Sequence, residues 1–342
     1  MKIRLMLSLF SRFLRSNRQI KFAVVHVTTR CNAKCTDRCD IWASKPLDMT
    51  LDNVLLAIDV LAKNNFSVVY FTGGETGLYP YLVEAIEYAK EKGLITSLTT
   101  NGTIPRKKLL QMSGNLDALS VSVDHYNEQK WDETKHVPGI SKKAKETIKL
   151  AKAFGMKVYT ITFLNPSWTR DEVVKMVRYV NEKLKVPFAL SYPFTSSNKG
   201  TYTVGGKLRE TECYQRNLKG LVDTVLHLKL NGAEVATTSN YMREVLRAYD
   251  GMPMKYQCKA GRVIIAIDCK LDVFPCYKKS SLFNLRDCQN LNLQSVDSSL
   301  CDNNRCMINC FKEASEASRE TCFRAVREEL FSNPKFLRDF FH

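Results

Sequence analysis

Residues 22–39 read FAVVHVTTRCNAKCTDRC: an apolar, β-branched run followed by three cysteines, Cys31, Cys35 and Cys39, each separated from the next by three residues. The run at 22–29 has the composition of a parallel strand buried on both faces. A thiol trio directly after such a strand marks a metal-binding loop at the strand's carboxyl end. It also poses a question of chemistry, because no fourth cysteine stands beside the three.

Outward from this stretch the chain alternates between short β-rich runs and helical patterns. LDNVLLAIDVLAKNN is helical, and SVVYFTGG, YLVEAIEYAKEKG, LITSLTTNG, a short helix near PRKKLLQM and LDALSVSVD follow in turn. SKKAKETIKLAKAFG ends on Gly155 as a C-cap, and MKVYTITFLNP, the helix TRDEVVKMVRYVNEKLK and VPFALSYPF complete the series. Six strands alternating with helices imply a parallel α/β sheet with right-handed crossovers. The expectation is a partial (β/α)6 TIM-like barrel over 22–205, with an open doubly wound sheet as the alternative that periodicity does not exclude. Either architecture gathers its site at the carboxyl ends of the strands. There the trio follows the first strand, TGGE (72–75) the second and TTNG (99–102) the third.

Residues 1–21 read as a basic amphipathic leader helix, with Ile3, Met6, Leu7, Phe10, Phe13 and Leu14 on one face. Such a segment can lie on an anionic membrane surface or pack under the barrel. Residues 206–255 read as a helical linker region, and 256–342 as a small cysteine-rich C-terminal domain with its tail. With 44% hydrophobic and 25% charged residues the chain is globular in composition, and no apolar run approaches the ~18 residues of a membrane span. The uncharged stretch from Leu5 to Ser11 is too short for a secretory signal and no cleavage site follows, which reads as cytoplasmic. Twelve cysteines in a long reduced chain point to metal rather than disulfides. The net charge of +16 favours anionic partners.

Four thiolates close a tetrahedral zinc site or saturate an iron–sulfur cube, whereas three on a cube leave one iron open to an outside ligand. Zinc fingers usually supply cysteines in close pairs, so the trio suits a loop around a cube; a structural zinc site and unligated thiols are the alternatives.

TTRCNAKC…CDIW after the first strand, with TGGE after the second, resembles the radical S-adenosylmethionine (SAM) superfamily. That family usually spaces its cysteines CxxxCxxC. Here the pattern is CxxxCxxxC, so Arg38 takes the usual third position and Cys39 must take its role. The resemblance implies a 4Fe–4S cluster held by Cys31, Cys35 and Cys39, whose open iron binds SAM. SAM is then cleaved to a 5′-deoxyadenosyl radical that abstracts hydrogen from an unactivated C–H bond. It further implies a SAM-binding set of Gly73, Gly74 and Glu75, with the Glu75 carboxylate on the methionine ammonium. Asn101 of TTNG, and Ser122 and Asp124 of SVSVD, join that set. Lys135 stands where the family often carries an arginine for the SAM carboxylate.

The segment CKAGRVIIAIDCKLDVFPC places Cys258 and Cys276 at the ends of a β-hairpin, and CDNNRCMINC supplies Cys301, Cys306 and Cys310 before Cys322. This resembles the SPASM or twitch extension, which carries one or two auxiliary 4Fe–4S clusters; a zinc-stapled lid is the alternative. Cys213, Cys269 and Cys288 read as ordinary packing residues, and the five histidines form no metal-ligand pair. The resemblance implies a reductant such as flavodoxin or ferredoxin and a lipid, carbohydrate or peptide substrate. The basic charge favours an anionic or membrane-associated one, and no nucleic-acid-binding motif is present. The rival classes are a non-catalytic iron–sulfur sensor or electron-transfer protein and a zinc-stapled binding protein.

Overall fold

The computed structural model describes residues 20–35, 39, 41, 44–191, 212–277, 279–293 and 308–316. The expected leader helix, apart from its last two positions, lies outside the described residues, as do Cys301, Cys306 and Cys322.

All six expected strands form: β1 (Phe22–Thr28), β2 (Val68–Gly73), β3 (Ile95–Thr100), β4 (Ala118–Ser122), β5 (Lys157–Phe163) and β6 (Phe188–Ser191). Between them run α1 (Leu51–Lys63), α2 (Leu82–Glu91), α3 (Arg106–Met112), α4 (Glu128–Lys135), α5 (Ile140–Ala153) and α6 (Arg170–Arg178). Local chemistry sets their starts. Thr50 caps α1 by accepting the Asn53 N–H, and Thr169 and Glu172 form a reciprocal capping box on α6. The stretch expected as one helix over TRDEVVKMVRYVNEKLK instead passes from α6 into a π-helical turn at Tyr179–Leu184, closed by Lys185 in the left-handed region. The expected linker region holds α7 (Glu212–Leu230) and α8 (Ser239–Tyr249).

The strand order is β6-β5-β4-β3-β2-β1-β7-β8-β9, where β7 is Ile264–Ile267, β8 Asp272–Phe274 and β9 Phe283–Asn284. A doubly wound sheet reverses its order at a switch point. Here β1 to β6 follow one another without reversal, so right-handed crossovers put every helix on the same face. That is the winding of a barrel left open.

Among the described residues, the C-terminal cysteine segment forms no sheet of its own. β7 pairs parallel with β1 in the register Phe22↔Ile264 to Val25↔Ile267, and the antiparallel β8 and β9 continue outward. The expected boundary near residue 256 is therefore one of sequence character, not of the sheet. The hairpin turn carries Leu271 at φ 71°, a left-handed position filled by a buried leucine instead of glycine.

Two cores divide the sheet's faces. Val25, Val27, Phe71, Leu98, Leu119, Ile265 and Ile267 pack beneath the helices in the main core. Val24, Ile264 and Ala266 face inward, packed with Ile308, Phe311 and Cys276; Phe311 belongs to α9 (Asn309–Glu316). No helix of the described residues is long and apolar enough to cross a membrane.

Candidate active site

The parallel register brings the carboxyl ends of β1 to β4 to one edge, and the motif residues meet there. Backbone bonds join the first two motifs directly. The Gly74 N–H donates to the Thr28 carbonyl (2.8 Å) and the Glu75 N–H to the Arg30 carbonyl (2.8 Å), one residue before Cys31. Glycine is required for this approach. A Cβ on Gly73 (φ +152°) would lie 2.3 Å from the Thr28 oxygen, and one on Gly74 2.2 Å from the Arg30 oxygen. The two glycines thus make room for the chain's own cysteine loop, where the sequence suggested room for a ligand.

Glu75 is fully buried and already engaged. Its Oε1 accepts from Thr100 Oγ1 (2.6 Å) and the Gly77 N–H (2.8 Å), and its Oε2 from the Asn101 N–H (2.7 Å). Burial raises its carboxyl above the usual range while these donors pull it back. The carboxylate that the resemblance assigned to the methionine ammonium therefore also ties β2 to β3.

Asn101 reaches the trio through side chains. Its Nδ2 donates to Asn32 Oδ1 (2.8 Å), and Asn32 Nδ2 donates to Thr103 Oγ1 (3.0 Å). Asp124 and Lys135 bind one another, with Nζ 2.9 Å from Oδ2 in a buried ion pair. The Lys135 carbonyl accepts the Lys34 N–H (3.0 Å), which fixes the end of α4 against the cysteine loop. Ser122, half-buried at the end of β4, completes the edge. Sequence reasoning gave no role to Asn32, Thr100, Arg30 or Asp48. The Arg30 guanidinium holds Asp48 (2.6 Å) and donates to the Leu78 carbonyl (2.7 Å), bracing the loop from outside. Thr100 and Asn32 were visible as polar residues inside the quoted motifs; the Arg30–Asp48 pair has no local signature.

Cys35 is buried, and Cys31 and Cys39 are half-buried. Burial pushes the Cys31 thiol up to about 11 and the Cys39 thiol up to about 12; Cys31 also feels Cys35, Cys39 feels both other cysteines of the loop, and the Lys135 charge acts on each. The three thiols thus share one electrostatic neighbourhood, and the Cys39 N–H donates to the Cys35 carbonyl (3.2 Å). As placed, no three His, Cys, Asp or Glu side chains among the described residues stand close enough together to hold a metal ion. The donor set nonetheless fits a cluster with one open iron: three soft thiols on one loop and a cation beside them. Thiolate sites are commonly completed by the metal they bind.

Farther from this edge, Cys258, Cys276 and Cys310 all border the inner core. Tyr277 joins them, its ring edge-on to Phe311 and its hydroxyl 3.0 Å from His26 Nε2. Burial pushes His26 down to about 3, so the ring is neutral. Cys269, buried in the main core, donates to the His26 carbonyl, and the half-buried Cys288 donates to the Asn290 carbonyl. His125 accepts the Asn127 N–H at Nδ1 (2.9 Å) and packs on Trp168, fixing the turn after β4.

A family model described as the radical SAM superfamily matches residues 25–180, the span that carries this whole edge. Residues 25–180 match the radical SAM domain. The chain is 29% identical over 248 residues to Fe-coproporphyrin III synthase of Methanosarcina barkeri, covering 68% of this chain and 59% of that protein. Overall the chain spans about half the length of the curated relatives it matches. Among solved structures, Streptococcus suis SuiB bound to S-adenosylmethionine is similar at a TM-score of 0.61 and 15% identity, over 82% of this chain and 67% of that one. anSMEcpe with bound AdoMet and a Cp18Cys peptide is similar at 0.59 and 17% identity, over 90% and 98%. At these identities the likeness is one of fold, and it agrees with the open barrel derived from strand order. A radical SAM domain implies a 4Fe–4S cluster and SAM.

Proposed function

We propose that this chain is an enzyme that reductively cleaves SAM and abstracts hydrogen from an unactivated C–H bond of its substrate. The observation that carries the reading is the direct stitching of TGGE to the cysteine loop, which sets three thiols and a SAM-type glycine motif on one barrel edge. A reduced 4Fe–4S cluster on Cys31, Cys35 and Cys39 would supply the electron that splits SAM into methionine and the 5′-deoxyadenosyl radical.

The chain's own residues hold and orient. Gly73 and Gly74 let β2 close on β1, Glu75 locks the ends of β2 and β3, and the Asn32–Asn101 bridge steadies the loop between the first two cysteines. The Lys135–Asp124 pair lies next to the loop, where the ammonium can turn to a carboxylate of SAM at the expense of Asp124. Cys258, Cys276 and Cys310, with Cys301, Cys306 and Cys322, would carry one or two auxiliary clusters. A flavodoxin or ferredoxin serves as reductant. The substrate is a lipid, carbohydrate or peptide, with an anionic or membrane-associated one favoured by charge. The site of action is the cytoplasm, with a peripheral position at the membrane surface compatible with the basic start of the chain.

The test is anaerobic reconstitution followed by incubation with dithionite and SAM and chromatographic assay for 5′-deoxyadenosine. Product in the wild type and none in a Cys31→Ala/Cys35→Ala/Cys39→Ala variant is expected. Iron without product would favour the sensor, and zinc in place of iron would favour the stapled binding protein.

A further inference from the structure

The inner face of the barrel is polar where such interiors are usually filled by bulky branched side chains. Phe71, Leu98 and Leu119 pack beneath the helices, so strand alternation turns Tyr70, Ser97, Thr99 and Ser120 inward, with Tyr159 beside them. The parallel register sets these five shoulder to shoulder: Tyr70 by Ser97, Thr99 by Ser120, and Ser120 by Tyr159. The inner core leaves most of this face alone. Apart from Tyr70, its described members come from β1 and the C-terminal extension, none from β3 to β6. Tyr70, Thr99 and Tyr159 accordingly stay half-exposed, although each of their strands is paired on both sides.

The hydroxyls act on one another. Tyr70 is hydrogen-bonded to Thr99 and to Tyr159, and Tyr159 to Ser97. Ser120 lies close enough to act on both phenols, yet its buried Oγ has no partner in hydrogen-bonding geometry among the described residues. Burial raises both phenols above the ordinary tyrosine range, so each keeps its proton. A hydroxyl brings one donor and two acceptor lone pairs, so hydroxyls bonded only among themselves leave acceptors over. Set against hydrocarbon, those acceptors would cost free energy. They call for a ligand with O–H groups of its own.

Place and charge narrow the ligand further. Thr99 opens the TTNG motif, and its carbonyl accepts the Thr76 hydroxyl (2.7 Å), next to Glu75. The patch is thus continuous with the motif edge. No Asp or Glu occurs in β1 to β6, and Lys157, the inward cation of β5, stands at the end of that strand away from the edge. An acyl chain offers this uncharged lining nothing, and an extended peptide presents its polar groups along one line. The patch spreads across four neighbouring strands, ~4.8 Å apart, which suits a compact ring bearing hydroxyls on several sides.

We propose that the inner face of β2 to β5 binds a sugar ring, with Tyr70, Tyr159 and Ser120 as its specificity-determining contacts. The inference rests on the radical SAM chemistry proposed above and narrows its substrate classes to carbohydrate.

The experiment takes the full-length, anaerobically reconstituted protein with SAM at saturation, so that no probe occupies the SAM site. Saturation-transfer difference NMR is recorded with methyl glucoside, N-acetylglucosamine and ribose as sugar probes, hexanoate as acyl probe and tetraalanine as peptide probe. Transfer to at least one sugar, and to neither of the other probes, is expected. Tyr70→Phe/Tyr159→Phe, which keeps both rings, should weaken sugar binding about tenfold or more, the scale of losing hydrogen bonds to two hydroxyls. Ser120→Ala gives a second, milder variant should the first melt early, and should weaken binding about threefold or more. Tyr88→Phe, which removes a phenol bonded to Asp59 on the helical side, should match wild type. No transfer to any sugar overturns the proposal, as does transfer to hexanoate or tetraalanine instead. Unchanged affinity in a folded lumen variant, or an equal loss in Tyr88→Phe, overturns it too. Dithionite-driven 5′-deoxyadenosine formation is read separately. Its absence beside intact sugar binding would sink the functional reading and leave the sugar site standing, whereas its presence without sugar binding would sink the sugar site alone.

Discussion

Glu75 shows how a motif residue can serve the scaffold and the site with one side chain. Three donors converge on its buried carboxylate, two from the end of β3 and one from the Gly77 N–H. An amide in its place offers one acceptor oxygen and turns an NH2 towards a backbone N–H. Glu75→Gln should therefore lower stability by about 2–3 kcal/mol in denaturant unfolding, by the cost of leaving buried partners unsatisfied; a change within ~0.5 kcal/mol would show that the bonds are not maintained in solution. Gly74 is the second such position. Gly74→Ala puts a methyl 2.2 Å from a carbonyl oxygen and should destabilise by about 3 kcal/mol, since a backbone atom cannot move aside as a flexible side chain can. At this scale the cysteines and glycines were legible in the sequence because their chemistry is bound to residue type and spacing. The engagement of Glu75, the mutual pairing of Asp124 with Lys135 and the Asn32–Asn101 bridge were not. Each joins segments between 11 and 69 residues apart, and no local pattern encodes such a contact.

The elements were legible where hydrophobic period and caps agreed. Alternation along β5 leaves Lys157, Tyr159, Ile161 and Phe163 half-exposed on the inner face and buries Val158, Thr160 and Thr162 beneath helices. The π turn at 179–184 escaped notice because its side-chain pattern over one turn is that of a helix. The start of α5 depends on a distant cap. Asp132 accepts from the Gly139 N–H (2.6 Å) and the Ser141 N–H (2.9 Å). Burial alone would raise its carboxyl, but these donors outweigh burial and hold it below the ordinary aspartate range. A depressed folded value adds stability that is present above the unfolded pKa and lost as pH falls through the folded one. Asp132→Asn should therefore cost about 1 kcal/mol at neutral pH. The gap between variant and wild type should close as the medium is acidified below the ordinary aspartate value of ~3.9. Denaturant titrations across that range check it, and a gap that persists in acid would show that the charge is not what stabilises.

On the scale of the whole molecule, the sequence suggested a barrel with a separate cysteine-rich domain, and the sheet joins them. β7 shields the edge of β1, the strand that leads into the cysteine loop, and its Ile265 and Ile267 are fully buried in the main core. Strand pairing across more than 200 residues carries no signal in local periodicity, so only the hairpin, not its partner, was legible. Ile265→Ala should cost about 2–4 kcal/mol and lower the melting of barrel and extension together, in one transition seen alike by far-ultraviolet circular dichroism and tryptophan fluorescence; two separated transitions would mean that they fold independently. The central claim is that the trio, despite its extra residue, holds one cluster with an iron open to SAM. The most direct measurement is the electron paramagnetic resonance spectrum of the dithionite-reduced protein with the tail cysteines 258, 276, 301, 306, 310 and 322 replaced by alanine, recorded with and without SAM. A cluster signal that changes shape when SAM is added, and that Cys39→Ala abolishes, is the predicted result. A signal indifferent to SAM, or one that survives Cys39→Ala, would contradict it.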